Sequence, residues 1–210
     1  MNIPLRYEDL TVNQFIQLEA IKQLKDIELI DRAVKRLSIL SGKTEDEIES
    51  LPPKEVFDTL SLAIFLSDHI HNMPVLEEIT LGKKRFKAIT KNTDYTVSQH
   101  RDFNEFIKAN NGDYIPCLAE LIFISHFEFI DGKWTYDENN FEENLELFKQ
   151  AKLKDVLGAV FFYSNCLLTC MSSIKTCLEE NQKILKEHAE TMMNDKEFQT
   201  FLKDGGMSIG

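Results

Sequence analysis

The sequence is short of the residues that interrupt regular structure, with five prolines and eight glycines in 210 residues. Those two residue types mark most turns and breaks, so a chain this poor in both is expected to be mainly helical. Basic charge is scarce as well. Against 35 Asp/Glu there are 24 Lys/Arg, a formal net charge of −11, which disfavours nucleic acid because its phosphates need cationic side chains to displace counterions. The only basic cluster is Lys83, Lys84, Arg85 and Lys87, expected to be a solvated strand edge that resists aggregation. Met1 to Leu10 has neither a basic start nor an apolar run, so no secretory signal is expected. Cys117, Cys166, Cys170 and Cys177 should then be reduced thiols in a cytoplasm.

Catalytic and cofactor motifs are missing too. Neither GxGxxG nor GxxxxGK[ST] occurs, which leaves no glycine-rich cradle for phosphate. His69, His71, His100, His126 and His188 form no HExxH pair and stand beside no Ser or Cys elbow. Asp131 to Asp137 looks acidic but departs from the calcium-loop pattern at its third and fifth positions. Cys166, Cys170 and Cys177 fall on one helical stripe that could hold a soft metal. No histidine shares that stripe, and the spacing misses the Cys-x3-Cys-x2-Cys arrangement of radical iron–sulfur enzymes, so the three read as small buried apolar residues. No enzyme, cofactor or metal is expected. Val156 to Ile174 carries no charge across 19 positions, long enough to raise a membrane span. Its Tyr163, Ser164, Asn165, Thr169, Ser172 and Ser173 favour a buried central helix, with a membrane-associated helix as the alternative.

What is present is a series of well-marked helix starts. Thr11-Val12-Asn13-Gln14 is a capping box, followed by an apolar stripe at Val12, Phe15, Leu18 and Ile21. A second helix is expected from about Asp26, with Ile27, Ile30, Val34, Leu37 and Leu40 on one face and Gly42 as its stop. Thr44 to Glu47 is another box. Pro52-Pro53 opens a third long helix, whose middle, Leu60 to Leu66, is apolar on nearly every side and should be central. Thr96-Val97-Ser98-Gln99 is a third box, with Phe103, Phe106 and Ile107 as its stripe. Thr11/Thr96, Val12/Val97, Gln14/Gln99, Leu18/Phe103 and Ile21/Phe106 correspond at an offset of 85 residues. Either an internal duplication or recurring capping chemistry produces such matches.

Two hairpins punctuate the helices. A Gly82-Lys83 turn puts Ile79 opposite Phe86 and Glu78 opposite Lys87. After a helix predicted from Asp113 to Phe127, an Asp131-Gly132 turn sets Phe129 against Trp134 and Phe127 against Tyr136. That aromatic face packs on helices or meets a partner. Asp137 to Gln150 reads as a short acidic helix, within a stretch (residues 101–150) holding 11 Asp/Glu against 4 Lys/Arg. From about Lys152 to Met193 there is one glycine and no proline, which predicts one long helix, unbroken or broken once, reaching on the order of 60 Å, too long for a compact bundle of this size, so its far end should project or meet another chain. Asp195 to Lys203 reads as a last short helix before a flexible tail.

In order along the chain stand Leu10-Thr11-Val12-Asn13-Gln14-Phe15, Leu37-Ser38-Ile39-Leu40-Ser41-Gly42-Lys43-Thr44, Ile79-Thr80-Leu81-Gly82-Lys83-Lys84-Arg85-Phe86, Tyr95-Thr96-Val97-Ser98-Gln99 with Asp102-Phe103, and Asp155-Val156-Leu157-Gly158-Ala159-Val160-Phe161-Phe162. This ordered set, from about Leu10 to about Leu178, resembles a family of small morphogenesis proteins of tailed double-stranded DNA phages with Bacteroidetes-type hosts. Some of its members are tail assembly chaperones. The chain departs from the family pattern in its helical extension after Leu178. The resemblance implies a non-enzymatic protein that packs against other phage tail or connector subunits, or against itself, in the host cytoplasm during assembly or in the virion.

The expected architecture is therefore mainly α: a helical bundle with two small β-hairpins and a long C-terminal helix. Residues 1–193 would be one helical domain, open to division into related halves 1–92 and 93–193, and residues 194–210 a short helix and tail. The candidate partner-binding residues are Phe127, Phe129, Trp134 and Tyr136 on the hairpin, and Leu178, Ile184, Leu185 and Met192 on the last helix.

Overall fold

The computed structural model describes residues 3–63, 73–91, 94–167 and 183. Residues 1–165 make one compact unit and 166–210 a second; every element numbered below belongs to the first. Leu178, Ile184, Leu185 and Met192, the helix expected up to Met193, the tail, Ile64 to Leu66, His69, His71, Cys170 and Cys177 all lie outside the described residues. The first unit is mainly helical, with one small antiparallel sheet.

Local capping chemistry fixes three of the helix starts. Thr11, Thr44 and Thr96 each accept from the amide three residues on, while that residue's side chain reaches back to the threonine amide. These boxes open α1 (Val12–Gln23), α3 (Glu45–Glu49) and α5 (Val97–Ala109). Where the returning side chain is glutamine it keeps a spare amide nitrogen. Gln14 Nε2 donates to the Ile39 carbonyl at 3.0 Å, and Gln99 Nε2 to the Ile124 carbonyl at 2.8 Å. Ile39 lies in the last turn of α2 (Leu29–Ser41) and Ile124 closes α6 (Leu118–Ile124), where carbonyls have no intrahelical donor. The offset of 85 thus relates both ends of the two bonds, 14 to 99 and 39 to 124.

The four apolar positions expected of α1, Val12, Phe15, Leu18 and Ile21, are its buried ones. α2 begins three residues later than Asp26 and buries Ala33, Val34, Leu37 and Leu40, ending on Gly42 in the left-handed conformation. Ile30 shares the stripe of Val34 and Leu37 but lies in the first turn, beyond the buried part of the helix, and is exposed. The helix opened by Pro53, α4 (Pro53–Ser61), packs on α2 but is not central: only Val56 of it is buried, and Leu62 beyond it is exposed. The central element is α6, which touches α1, α5, α7 (Phe141–Gln150) and the sheet. Six of its seven residues are buried, so it is apolar all round, as a helix enclosed by others must be.

α6 is also shorter than the helix expected from Asp113 to Phe127. Asp113 Oδ1 accepts from the Ile115 amide at 2.9 Å, an Asx turn that delays the start. At the other end the side chains from His126 alternate in and out with period two, and β3 (His126–Ile130) replaces the last helical turn. The sheet runs β1-β2-β3-β4, where β1 is Glu78–Leu81, β2 is Lys84–Ala88 and β4 is Lys133–Thr135. The predicted registers Ile79/Phe86, Glu78/Lys87 and Phe129/Trp134 are present. β2 pairs with β3, so the two ribbons are one sheet. Asp131 and Gly132 both have positive φ, 48° and 82°, as a type I′ turn requires. Because β2 is an inner strand, the basic cluster is not a solvated edge. Lys84 faces the helices, and Arg85 and Lys87 face the other side.

Residues 153–165 are helical (α8) and bury Val156, Leu157, Ala159, Val160 and Tyr163. Their start is clipped to the N-terminal segment by Leu153 N to Leu10 O (2.9 Å) and Val12 N to Ala151 O (3.0 Å). Among the described residues no helix is long and apolar enough to cross a membrane; residues 168–174 of the uncharged stretch lie outside them. Gly158 lets the 73–74 backbone lie directly on α8, since a Cβ there would stand 2.3 Å from the Pro74 carbonyl oxygen. Backbone cannot swing aside as a side chain can. Gly158→Ala is therefore expected to cost about 1–3 kcal/mol, read as a lower urea midpoint; an unchanged midpoint would refute this close packing.

Candidate functional site

The sheet has two unlike faces. Inward lie Ile79, Phe86, Ala88, His126 and Glu128, all buried. Phe86 packs on Phe148 of α7 at 4.7 Å between ring centroids, and the His126 ring lies 5.2 Å from Phe148. Glu128 would be a costly buried charge without partners. It has three: Lys84 Nζ at 3.2 Å, Asn144 Nδ2 at 2.7 Å and Asn140 Nδ2 at 3.4 Å. Lys84 also reaches Asn144 Oδ1 at 2.9 Å and Glu143 at 2.8 Å. Burial works against its charge, yet the bonds to Glu143 and Glu128 outweigh burial and hold its ammonium above the usual lysine range. This knot ties the start of α7 to β2 and β3.

The outward face carries three of the four hairpin residues singled out in the sequence. Phe129 and Trp134 pair across β3 and β4 with ring centroids 5.0 Å apart. Arg85 stacks over both, its guanidinium carbon 4.8 Å from the Phe129 centroid and 5.5 Å from that of Trp134, while Glu78 holds its other side at 2.9 Å. Phe129 is 37 % exposed, and Phe127 and Trp134 are half-buried. Tyr136 departs from the expected face. β4 ends at Thr135, and Tyr136 turns to the helical side, its ring 5.3 Å from Phe123 and its hydroxyl donating to Asp102 Oδ2 at 2.9 Å. The cross-strand neighbour of Phe127 is Lys87 instead. Burial, and then the bond to Asp102, push the Tyr136 phenol well above its ordinary range, so it stays a neutral donor.

Tyr136 thereby lines an open cleft of about 450 Å³ beside α5, with Asp102, Glu105, Phe106, Glu138 and Phe141. Sequence reading missed this site. Its signals were the acidic excess of residues 101–150 and the place of Phe106 on the α5 stripe, but nothing local joins residue 106 to residue 141.

Other nominated groups take structural roles. Cys117 is buried beneath the Asp113 and Tyr114 carbonyls, and burial pushes its thiol up to about 11, away from nucleophilic use. Cys166 is half-buried. Among the described residues no group of three or more His, Cys, Asp or Glu could hold a metal ion. Comparisons with protein-family models, with curated proteins and with solved structures find no significant match.

His126 gives the unit a pH dependence. Its ring is buried, with Nδ1 2.7 Å from the Ile122 carbonyl, while Nε2 has no hydrogen-bond partner among the described residues. Burial pushes its pKa down to about 4, against a small opposing effect of the Ile122 carbonyl. An unfolded histidine takes up its proton near pH 6.5, so this stability is fully present above that pH and is lost as pH falls from there to about 4. The loss is about 3 kcal/mol for the wild type. His126→Asn, which keeps a donor toward Ile122, should show a visibly flatter stability profile between those limits in urea titrations; identical slopes would exclude His126 as the source.

Proposed function

We propose that this chain is a non-enzymatic assembly protein that acts by packing against other proteins, in the manner of the tail assembly chaperones of tailed double-stranded DNA phages. The observation that carries the packing role is the outward sheet face. Phe129 and Trp134 stand there on a rigid sheet, held in place by Arg85 rather than covered by a helix among the described residues. Aromatic residues and arginine on a fixed scaffold are the side chains that anchor protein interfaces. The phage setting is supported by the ordered sequence resemblance, which implies a protein of the host cytoplasm during assembly or of the virion, packing against tail or connector subunits or further copies of itself.

Both roles can be tested together. Presence of the chain in purified virions would make it a structural subunit. Absence from virions, with binding to the tape measure protein, would make it a chaperone. In either case Phe129→Ser with Trp134→Ser should weaken the interaction by about 30-fold or more, since anchors of this kind contribute 2 kcal/mol or more, and should leave the thermal midpoint near that of the wild type. A monomer with no partner in either assay would overturn the reading.

A further inference from the structure

We infer that the cleft beside α5 receives a cationic side chain, and that its occupant is an arginine or lysine presented by an extended basic segment of a partner protein. This stands apart from the sheet-face reading, with which it shares none of Phe127, Phe129 or Trp134.

The cleft combines an aromatic floor with uncompensated charge. Phe106 and Phe141 stack at 15° with ring centroids 6.1 Å apart, and Phe123 meets Phe141 edge-on at 5.1 Å. Ring faces of this kind attract cations. Around them stand three carboxylates, and their oxygens are unequally used. Asp102 accepts from the Tyr136 hydroxyl on one oxygen and meets Arg101 Nε at 3.4 Å on the other. Glu138 accepts from Ser98 Oγ at 2.9 Å on Oε1, and its Oε2 is unused among the described residues. Glu105 has no hydrogen-bond or ion-pair partner among them. Among the described residues these three carboxylates therefore make one ion pair, that of Asp102 with Arg101, whose guanidinium is mostly in solvent.

An anion is repelled from such a place, and a neutral apolar ligand would leave the free carboxylate oxygens without donors. A guanidinium or ammonium satisfies both features, with its head between Glu105 and Glu138 and its aliphatic stem along Phe106 and Ala109. A volume of about 450 Å³ takes a long side chain together with adjoining backbone and is generous for a bare amine. The acidic excess around it, 11 Asp/Glu to 4 Lys/Arg over residues 101–150, steers a basic segment and repels an acidic one.

The test uses the full chain and three probes: acetyl-Gly-Gly-Arg-Gly-Gly-amide, the same peptide with citrulline replacing arginine, and n-butylammonium. The arginine peptide should give saturable amide shifts in nuclear magnetic resonance spectra at Asp102, Glu105, Ala109 and Glu138, weakening as salt is raised. The citrulline peptide should give none. Glu105→Gln with Glu138→Gln should weaken binding by about tenfold without moving the thermal midpoint, and Glu142→Gln, exposed on α7, should leave it unchanged. The inference is overturned if no saturable shift occurs at these amides, if shifts spread evenly over the acidic surface, or if the double substitution has no effect. Butylammonium binding as tightly as the peptide would overturn the assignment to a partner segment and make a small amine the occupant.

Discussion

Gln14 and Gln99 each satisfy two separate sets of unpaired backbone groups. The side-chain oxygen of each takes the amide of the capping threonine, and the side-chain nitrogen donates to a carbonyl at the end of the next helix. A helix start is thereby tied to a helix end 25 residues further on. Gln99 is fully buried, so its bonds form where an unmet donor is expensive. Through it α5 is fastened to α6, and α6 is the element around which α1, α7 and the sheet are arranged. Glu47, at the equivalent position of the Thr44 box, has no amide nitrogen to give and makes no such tie.

With α6 held, the remaining polar interior is settled by the sheet. β3 follows α6 directly, and Glu128, two residues into it, collects Lys84 from β2 and Asn144 from α7. The inner face is thus locked by charge and by the Phe86–Phe148 contact, and the outer face is left with Arg85, Phe129 and Trp134 on a backbone that cannot easily yield. Rigid presentation of a few aromatic anchors suits recognition by packing, because little side-chain freedom remains to be lost on binding. The acid-lined cleft is built on the same scaffold, from α5 on one side and the chain leaving β4 on the other.

What could be read from the sequence was whatever is decided over a few residues. Thr11, Thr44 and Thr96 announce their helices because a capping box spans four positions. The registers around Gly82-Lys83 and Asp131-Gly132 follow from turn length alone. Errors came where distant residues decide. The length of Asp113–Phe127 suggested one helix, but pairing of β3 with β2, some 40 positions upstream, pulls His126 onward into the sheet. Lys84 looked like a solvent charge until Glu128 supplied its partner, and Tyr136 looked like part of the aromatic face until Asp102 took its hydroxyl. Apolar content alone made the helix opened by Pro53 look central, yet over Pro53–Ser61 only Val56 is buried, whereas α6 is enclosed by the elements around it. The 106–141 aromatic stack has no local signature at all.

The central functional claim is that a partner covers the outer face of the sheet, and Trp134, the only tryptophan in the chain, is a built-in reporter of it. Its emission and its quenching by acrylamide should be measured for the chain alone and with saturating tape measure protein. The claim predicts a blue-shifted maximum and a several-fold fall in quenching on binding. Binding that leaves both the emission and the quenching of Trp134 unchanged would contradict it.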